Sequence, residues 1–345
     1  MGNYILQPDI HEDKICFVSE DDLFISDIDG HNSKRIVSGL GVISSPKFSE
    51  DGTHIAFRLM RGVHNGVNEI FVCDSEGGSL IQLTHIGSPA TGIAGWINST
   101  SIMIYSDIYE PTRGLTEFYS INLKTRKMEK TEYGYGNTIQ FSDKGILLGR
   151  NTMEVPYWKN YRGGTRGKVW LKFKESKKFE KLLEIETNIH SPVVIGSKLY
   201  FVTDRDGTAN VYAYDFSVRK IEKLTDFKEH DVRPMNGNGN NLVFTIAGEL
   251  YLFDINLRKE PIGKDKNGKD VFLKDIWPSD QEINTVISSV LKEDLYQKNY
   301  SNVYGFSELW NEMDAPEGDL YKWDNKSTYI KNLNFSIFSI FLLET

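Results

Sequence analysis

One short pattern recurs six times along the chain: an apolar, β-rich run that closes on or near an acidic or amide side chain. It appears as Leu23-Phe24-Ile25-Ser26-Asp27, Ile70-Phe71-Val72-Cys73-Asp74, Phe118-Tyr119-Ser120-Ile121-Asn122, Val169-Trp170-Leu171-Lys172, Val211-Tyr212-Ala213-Tyr214-Asp215 and Leu250-Tyr251-Leu252-Phe253-Asp254. The starts at 23, 70, 118, 169, 211 and 250 are 47, 48, 51, 42 and 39 residues apart. Near-equal units of this length made of short strands read as the blades of a propeller, and the missing helical periodicity excludes helix-pair repeats of similar length.

A second apolar run precedes each of these: Ile15-Cys16-Phe17-Val18, Ile55-Ala56-Phe57, Ile102-Met103-Ile104-Tyr105, Ile146-Leu147-Leu148, Leu199-Tyr200-Phe201-Val202 and Leu242-Val243-Phe244. Their apolar character is continuous rather than alternating, as expected of strands covered on both faces by neighbouring blades. The clearest full unit begins Ser45-Pro46-Lys47-Phe48-Ser49-Glu50-Asp51-Gly52 and ends Ile81-Gln82-Leu83-Thr84. Asp51-Gly52 reads as a type I′ turn, which places Phe48, Ile55 and Phe57 on a buried side. The fold expected is all-β, a six-bladed β-propeller of four-stranded antiparallel blades over residues 1–265; an isolated sandwich is the rival.

Beyond that ring the pattern stops. Residues 266–280 read as a polar linker, and 281–345 as a short irregular or partly helical tail. Ile283, Val286, Ile287, Val290 and Leu291 have the spacing of one helix face. The apolar stretch Leu333 to Leu343 is too short to span a bilayer. Its abrupt change of character marks either a packed terminal strand or a chain that ends out of its ancestral context, after truncation or gene rearrangement.

The formal charge of -8, from 40 basic and 48 acidic residues, is spread along the sequence, so nucleic acid is not an expected partner. Cys16 and Cys73 both sit in apolar strands and are expected as buried thiols, which suits a reducing compartment. The first residues carry neither a basic region nor a long apolar one, so a cytoplasmic location and no membrane association are expected. The seven histidines are scattered singly, with no metal-ligand spacing, and no cofactor motif is present: no metal and no cofactor are implied. No Gly-x-Ser-x-Gly elbow occurs, and no serine, histidine and acid are set out for acyl transfer. The acidic stretch Trp310 to Glu317 is read as a solvated loop rather than a glycosidase acid pair.

The most distinctive segment, Gly149 to Trp170, is a long insertion between two strands of the fourth blade. Insertions of this kind project at a propeller face, where ligands pass. Within it Arg162 and Arg166 flank Gly163-Gly164, followed by Lys168, so guanidinium groups and backbone amides are candidates to hold a carboxylate or phosphate. Trp158 and Tyr161 are candidates for the same surface. The rival reading is a structural loop whose basic residues bridge blades while Trp158 packs on a strand.

The Arg162-Gly163-Gly164-Thr165-Arg166-Gly167-Lys168 run resembles the corresponding segment of the tricorn protease family. So do Pro8-Asp9-Ile10-His11 with Asp21-Asp22-Leu23, and Ile36 to Ile43 with the following Phe48 and Asp51-Gly52. The similarity extends over about residues 3 to 262. It implies a cytoplasmic archaeal serine peptidase family, in which propellers precede a PDZ domain and the catalytic domains, and a six-bladed ring gates a channel for oligopeptides. This chain stops before the PDZ and catalytic domains, so no catalytic residue is carried over. One departure stands out: a basic pair that the family places after the second blade is replaced here by a short uncharged loop, Thr91-Gly92-Ile93-Ala94-Gly95. The expected function is therefore a tricorn-like propeller in oligopeptide degradation, a channel or gating domain without its own catalytic site. The partners expected are oligopeptides, a separate peptidase subunit or further copies of this chain. The alternatives are a self-standing scaffold of the Tol-type kind that binds a protein partner, and a peptidase acting through unrecognised residues.

Overall fold

The computed structural model describes residues 4–61, 66–153 and 158–256, and the backbone of Pro261–Lys264, Asp270–Phe272 and Ile330–Leu333. Two compact units divide it, Met1–Phe253 with Leu333–Thr345, and Asp254–Asn332. In the second unit Pro261–Lys264 pairs antiparallel with Asp270–Phe272. The expected helical spacing over 281–300, the acidic stretch at 310–317 and the apolar residues 334–343 lie outside the described residues.

The first unit is the ring. Its first blade is β1 (Ile5–His11), β2 (Lys14–Ser19), β3 (Asp22–Asp27) and β4 (Lys34–Val37). The second is β5 (Val42–Phe48), β6 (His54–Arg61), β7 (Val67–Asp74) and β8 (Ile81–Gln82), and the third β9 (Gly92–Asn98), β10 (Ser101–Ser106), β11 (Glu117–Asn122) and β12 (Met128–Tyr135). The fourth holds β13 (Thr138–Ser142), β14 (Gly145–Arg150), β15 (Lys168–Phe173) and β16 (Glu180–Lys181). The fifth holds β17 (Ile189–Ile195), β18 (Lys198–Thr203), β19 (Asn210–Asp215) and β20 (Lys220–Lys223), and the sixth contributes β21 (Arg233–Asn238), β22 (Asn241–Ile246) and β23 (Glu249–Asp254). Within each blade, strands consecutive in sequence pair in order. All six recurring runs, and the six that precede them, fall inside the third and second strands of these blades.

The core lies between blades rather than within them, which is why the second strands do not alternate. Cys16, Val18 and Ile25 of the first blade pack with Ile43, Phe57 and Phe71 of the second. Leu147 and Leu171 of the fourth pack with Val194, Phe201 and Tyr212 of the fifth. Ile5, Ile15, Phe17 and Phe24 meet Val243 and Leu250, joining first blade to sixth. Each such buried side chain contributes about 1.5–3 kcal/mol. Cys16 and Cys73 are buried free thiols, and burial pushes Cys73 up to about 12.

The residue that closes the third strand shapes the turn that follows. Asn122 Oδ1 accepts the backbone N–H of Lys124 and Thr125, and Asp215 Oδ1 those of Ser217 and Val218. These side chains mimic a backbone turn, which is the reason for an acidic or amide residue there. The Asp51-Gly52 turn differs from expectation. A five-residue loop links β5 to β6, Gly52 N–H donates to Ser49 O, and only Gly52 of the pair has positive φ, +70°. Asp51 instead accepts from Ser49 Oγ and from the amide and hydroxyl of Thr53, so side-chain capping replaces the two-residue I′ turn.

The inner strands β1, β5, β9, β13, β17 and β21 contact one another in succession, and β21 contacts β1. They belong to different sheets, so their exposed edges need other partners. Side chains supply them. Ser45 N–H donates to Gln7 Oε1 at 2.6 Å, Phe48 N–H to Asp9 at 2.8 Å, Val194 N–H to Gln140 Oε1 at 2.7 Å and Met235 N–H to Ser191 Oγ at 3.1 Å. Asn236 Nδ2 donates to Pro8 O at 2.7 Å, closing the ring. Four inner strands share a bulge at an Xaa-Pro step: Gln7-Pro8, Ser45-Pro46, Ser191-Pro192 and Arg233-Pro234. Proline lacks the donor that a ladder needs, so it belongs at an edge bulge. Gln7, Ser45 and Ser191 take φ of +50°, +52° and +51° there.

Candidate functional site

The insertion between β14 and β15 is held at both feet. Ser191 N–H donates to Thr152 O at 2.9 Å, and Thr152 Oγ1 to Thr138 Oγ1 at 3.0 Å. At the other foot Gly167 lies so close to β17 that an added Cβ would stand 1.9 Å from Ile189 O.

Between the feet, a buried pair from the fifth blade grips the insertion's backbone. Asp204, at the end of β18, accepts Asn188 N–H at 3.1 Å, Asn188 Nδ2 at 2.7 Å and Asn160 N–H at 2.6 Å. Asn188 Nδ2 also donates to Trp158 O at 2.8 Å. The carboxylate is thereby satisfied by N–H groups, as a buried charge must be.

This grip places Trp158 and Lys159 over a small hollow open to solvent, floored by the fifth and sixth blades. Lys159 Nζ lies 3.1 Å from Asp231 Oδ1, and Arg233 Nη2 lies 3.9 Å from Asp231 Oδ2. Ala209 N–H donates to Asp231 Oδ1 at 2.9 Å. Ion pairs with a partner this exposed contribute little to stability. Trp158 is 62% exposed and stacks on Tyr161 with ring centroids 5.3 Å apart.

His190 lines the same hollow and is only 7% exposed. Burial, reinforced by the Arg233 guanidinium, lowers its pKa to about 4, so the imidazole is neutral at neutral pH. Its Nδ1 lies 3.1 Å from Ser191 Oγ, which already accepts Met235 N–H. Among the described residues Nε2 has no hydrogen-bond partner.

The residues singled out in the sequence divide here. Trp158 lines the hollow and Tyr161 stacks behind it, its hydroxyl accepting from Thr165 Oγ1 at 3.0 Å. Arg166 is turned onto its own loop, its Nη1 donating to Gly163 O at 3.2 Å. Arg162 is exposed, and Lys168 stands in β15 opposite Arg150. Arg162 and Arg166 are thus outside the hollow's lining, and Lys159 and Arg233 supply its cations. Thr91-Gly92-Ile93-Ala94-Gly95 is not a loop: Gly92 to Gly95 open strand β9, where a Cβ on Gly95 would meet Ile139 O at 2.2 Å.

Sequence reading missed Lys159, His190, Asp204, Asp231 and Arg233. A signal for them existed. In a blade repeat the end of the second strand and the start of the next inner strand reach the same rim, so Asp204 and Asp231-Val232-Arg233 fall beside the fourth blade's insertion.

Ring and rim together define a β-propeller protein with a polar hollow at one face. The chain belongs to the family of the tricorn protease N-terminal β-propeller domain, whose model matches residues 2–259. It is 34% identical to the tricorn protease of Thermoplasma acidophilum over 265 residues, 75% of this chain and 25% of that one. It is 32% identical over 176 residues to a putative tricorn-like protease N-terminal subunit of Sulfurisphaera tokodaii, 50% of this chain and 88% of that one. A crystal structure of the tricorn protease aligns over 74% of this chain and 25% of its own, with a TM-score of 0.69 and 34% identity. The chain thus spans about a quarter of the length of the full tricorn proteases it matches. A stretch of 94 residues, 27% of this chain, is also 46% identical to a tenth of the aconitate hydratase A of Staphylococcus aureus.

Proposed function

We propose that this chain is the peptide-handling propeller of a tricorn-type proteolytic assembly, conducting or gating oligopeptides whose cleavage takes place on a separate peptidase subunit. The observation that carries this reading is the hollow at the rim, where an exposed indole and two cations stand at the mouth of a ring of the tricorn propeller family. The likeness to a relative described as a tricorn-like N-terminal subunit supports separate subunits.

This reading takes the Ser191–His190 contact as structural rather than as a nucleophile and base. An imidazole with a pKa of about 4 is a poor base at neutral pH. Ser191 Oγ is already engaged by Met235, and no carboxylate among the described residues bonds His190 Nε2.

The test has two parts: turnover of a mixed fluorogenic oligopeptide set by the purified chain, and co-elution of the chain with the catalytic part of a tricorn-type peptidase. No turnover alone, together with a stable complex, is the expected result. Turnover abolished by a serine-directed inhibitor overturns the non-catalytic assignment, and failure to bind both peptide and peptidase overturns the reading as a whole.

A further inference from the structure

Arg150 and Lys168 stand directly opposite one another in β14 and β15, the last antiparallel pair before the fourth-blade insertion. Residues so paired share one face of the sheet with Cβ atoms about 5 Å apart, and like charges there repel. Both are half-buried, and among the described residues neither side chain makes a hydrogen bond or an ion pair. Basic side chains withdrawn from water are normally paired. Two residues along on the same face, Leu148 and Trp170 pack with Phe118 and Tyr133, so this face is turned to the third blade.

The third blade holds the arginine without neutralising it. The Arg150 guanidinium lies over the Tyr135 ring, 5.4 Å from its centroid, and the Tyr135 hydroxyl donates to Glu110 Oε2 at 3.2 Å. The blades approach closely here: Asn137 N–H donates to Gly149 O at 2.9 Å, and a Cβ on Gly136 would stand 2.9 Å from the same oxygen. What remains open at the rim is a small recess lined by Thr116, Tyr135, Asn137 and Arg150. Asn137 Oδ1 accepts Thr152 N–H at 3.2 Å, which fixes the amide's orientation, and its Nδ2 has no acceptor among the described residues. A guanidinium with one face covered by a ring presents its edge, whose parallel N–H bonds match a carboxylate. Lys130 is shared between Glu110 and Glu117, so the neighbouring wall stays negative, which disfavours a dianionic phosphate.

We propose that this recess between the third and fourth blades is a carboxylate subsite for oligopeptides. Arg150 takes the carboxylate edge-on, Asn137 Nδ2 adds a donor, and Lys168 on the same face supplies a second positive charge. The carboxylate is the peptide's C-terminus or an acidic side chain, which offer the same two oxygens. This assignment rests on the peptide-handling reading above and names the group on the peptide that is held.

The experiment is calorimetric titration of the purified full chain with acetyl-Ala-Ala-Ala as the free acid, with its C-terminal amide, with acetyl-Ala-Glu-Ala amide and with inorganic phosphate. One or both of the carboxylate peptides is expected to bind at least about tenfold more tightly than the uncharged amide, as for a charge-assisted pair, and which of them does so identifies the source of the carboxylate. Arg150→Met and Lys168→Met are each expected to reduce that preference. Without peptide, Lys168→Met should leave the thermal midpoint unchanged or raise it, because it removes the repulsion from Arg150. A preference for the carboxylate that survives both substitutions overturns the subsite and leaves peptide conduction standing, and so does a lowered midpoint in Lys168→Met, which would reveal a structural partner. Phosphate binding as tightly as the carboxylate peptides overturns the ligand class. No binding of the three short peptides overturns the subsite, and no binding of longer oligopeptides either overturns the peptide-handling reading with it.

Discussion

The Thr225 hydroxyl donates to Asn210 Oδ1 at 2.8 Å while accepting the Val211 N–H at 2.9 Å, which ties the connection after the fifth blade to the start of its third strand. Three blades earlier Thr84 accepts Ile70 N–H in the same way and donates to Glu69, which stands in the place of Asn210. Leu224-Thr225 and Leu83-Thr84, each following the last strand of its blade, are thus two-sided clips: the leucine is buried and the threonine serves one donor and one acceptor.

Thr225→Val keeps the shape and removes the hydroxyl. It strands the buried Val211 N–H, so a loss of about 1–3 kcal/mol is expected. Chemical denaturation measures it, and Thr225→Ser should recover most of the loss.

Ring closure predicts a second effect. Asn236 donates to Pro8 O and accepts from Lys47 Nζ at 2.7 Å, so one side chain of the sixth blade reaches the first and second. Asn236→Leu is expected to lower stability by about 1–3 kcal/mol, read as a lower thermal midpoint. An unchanged midpoint would show that the apolar contacts of Ile5, Phe17 and Val243 close the ring by themselves.

Gly167→Ala forces a methyl group against the Ile189 carbonyl, which is backbone and cannot turn away. A loss of about 1–3 kcal/mol or more is expected, with displacement of the insertion and of Trp158. Gly164→Ala, where a Cβ would have nothing within 4 Å, is the control and should be near neutral. The near-ultraviolet circular dichroism of Trp158 reports the displacement.

His190 gives the chain a pH dependence of known sign. Its pKa is about 4 in the fold and near 6.5 when unfolded, so between those values the unfolded state binds a proton that the folded state refuses. Stability therefore falls as pH drops from about 6.5 to about 4, by about 3 kcal/mol from this group, and this part of the loss levels off below. His190→Gln should remove that part of the slope. The same slope in the variant would refute the assignment.

The insertion shows how far the sequence could be read. Its glycines and aromatic residues marked it as a rim loop, and Trp158 does line the hollow. The choice of Arg162 and Arg166 followed from their flanking a Gly pair. Arg166 instead spends its guanidinium on Gly163 O, an acceptor that the turn closed by its own backbone N–H onto the same oxygen brings to it and no spacing rule reveals.

By itself the sequence determined the ring. The second and third strands were legible because they bury apolar side chains on both faces, and third strands such as those ending at Asn122 and Asp215 close on a residue that caps the following turn; both are local properties. The cysteines, buried in two of those strands, follow from the same pattern. Only the tertiary structure decided the site. Trp158, His190, Asp204 and Arg233 come from three blades, and they meet because the buried Asp204–Asn188 pair binds the insertion's backbone, a contact between groups far apart in sequence. Likewise the lowered pKa of His190 is a product of burial and of Arg233, neither of which the residues around position 190 contain.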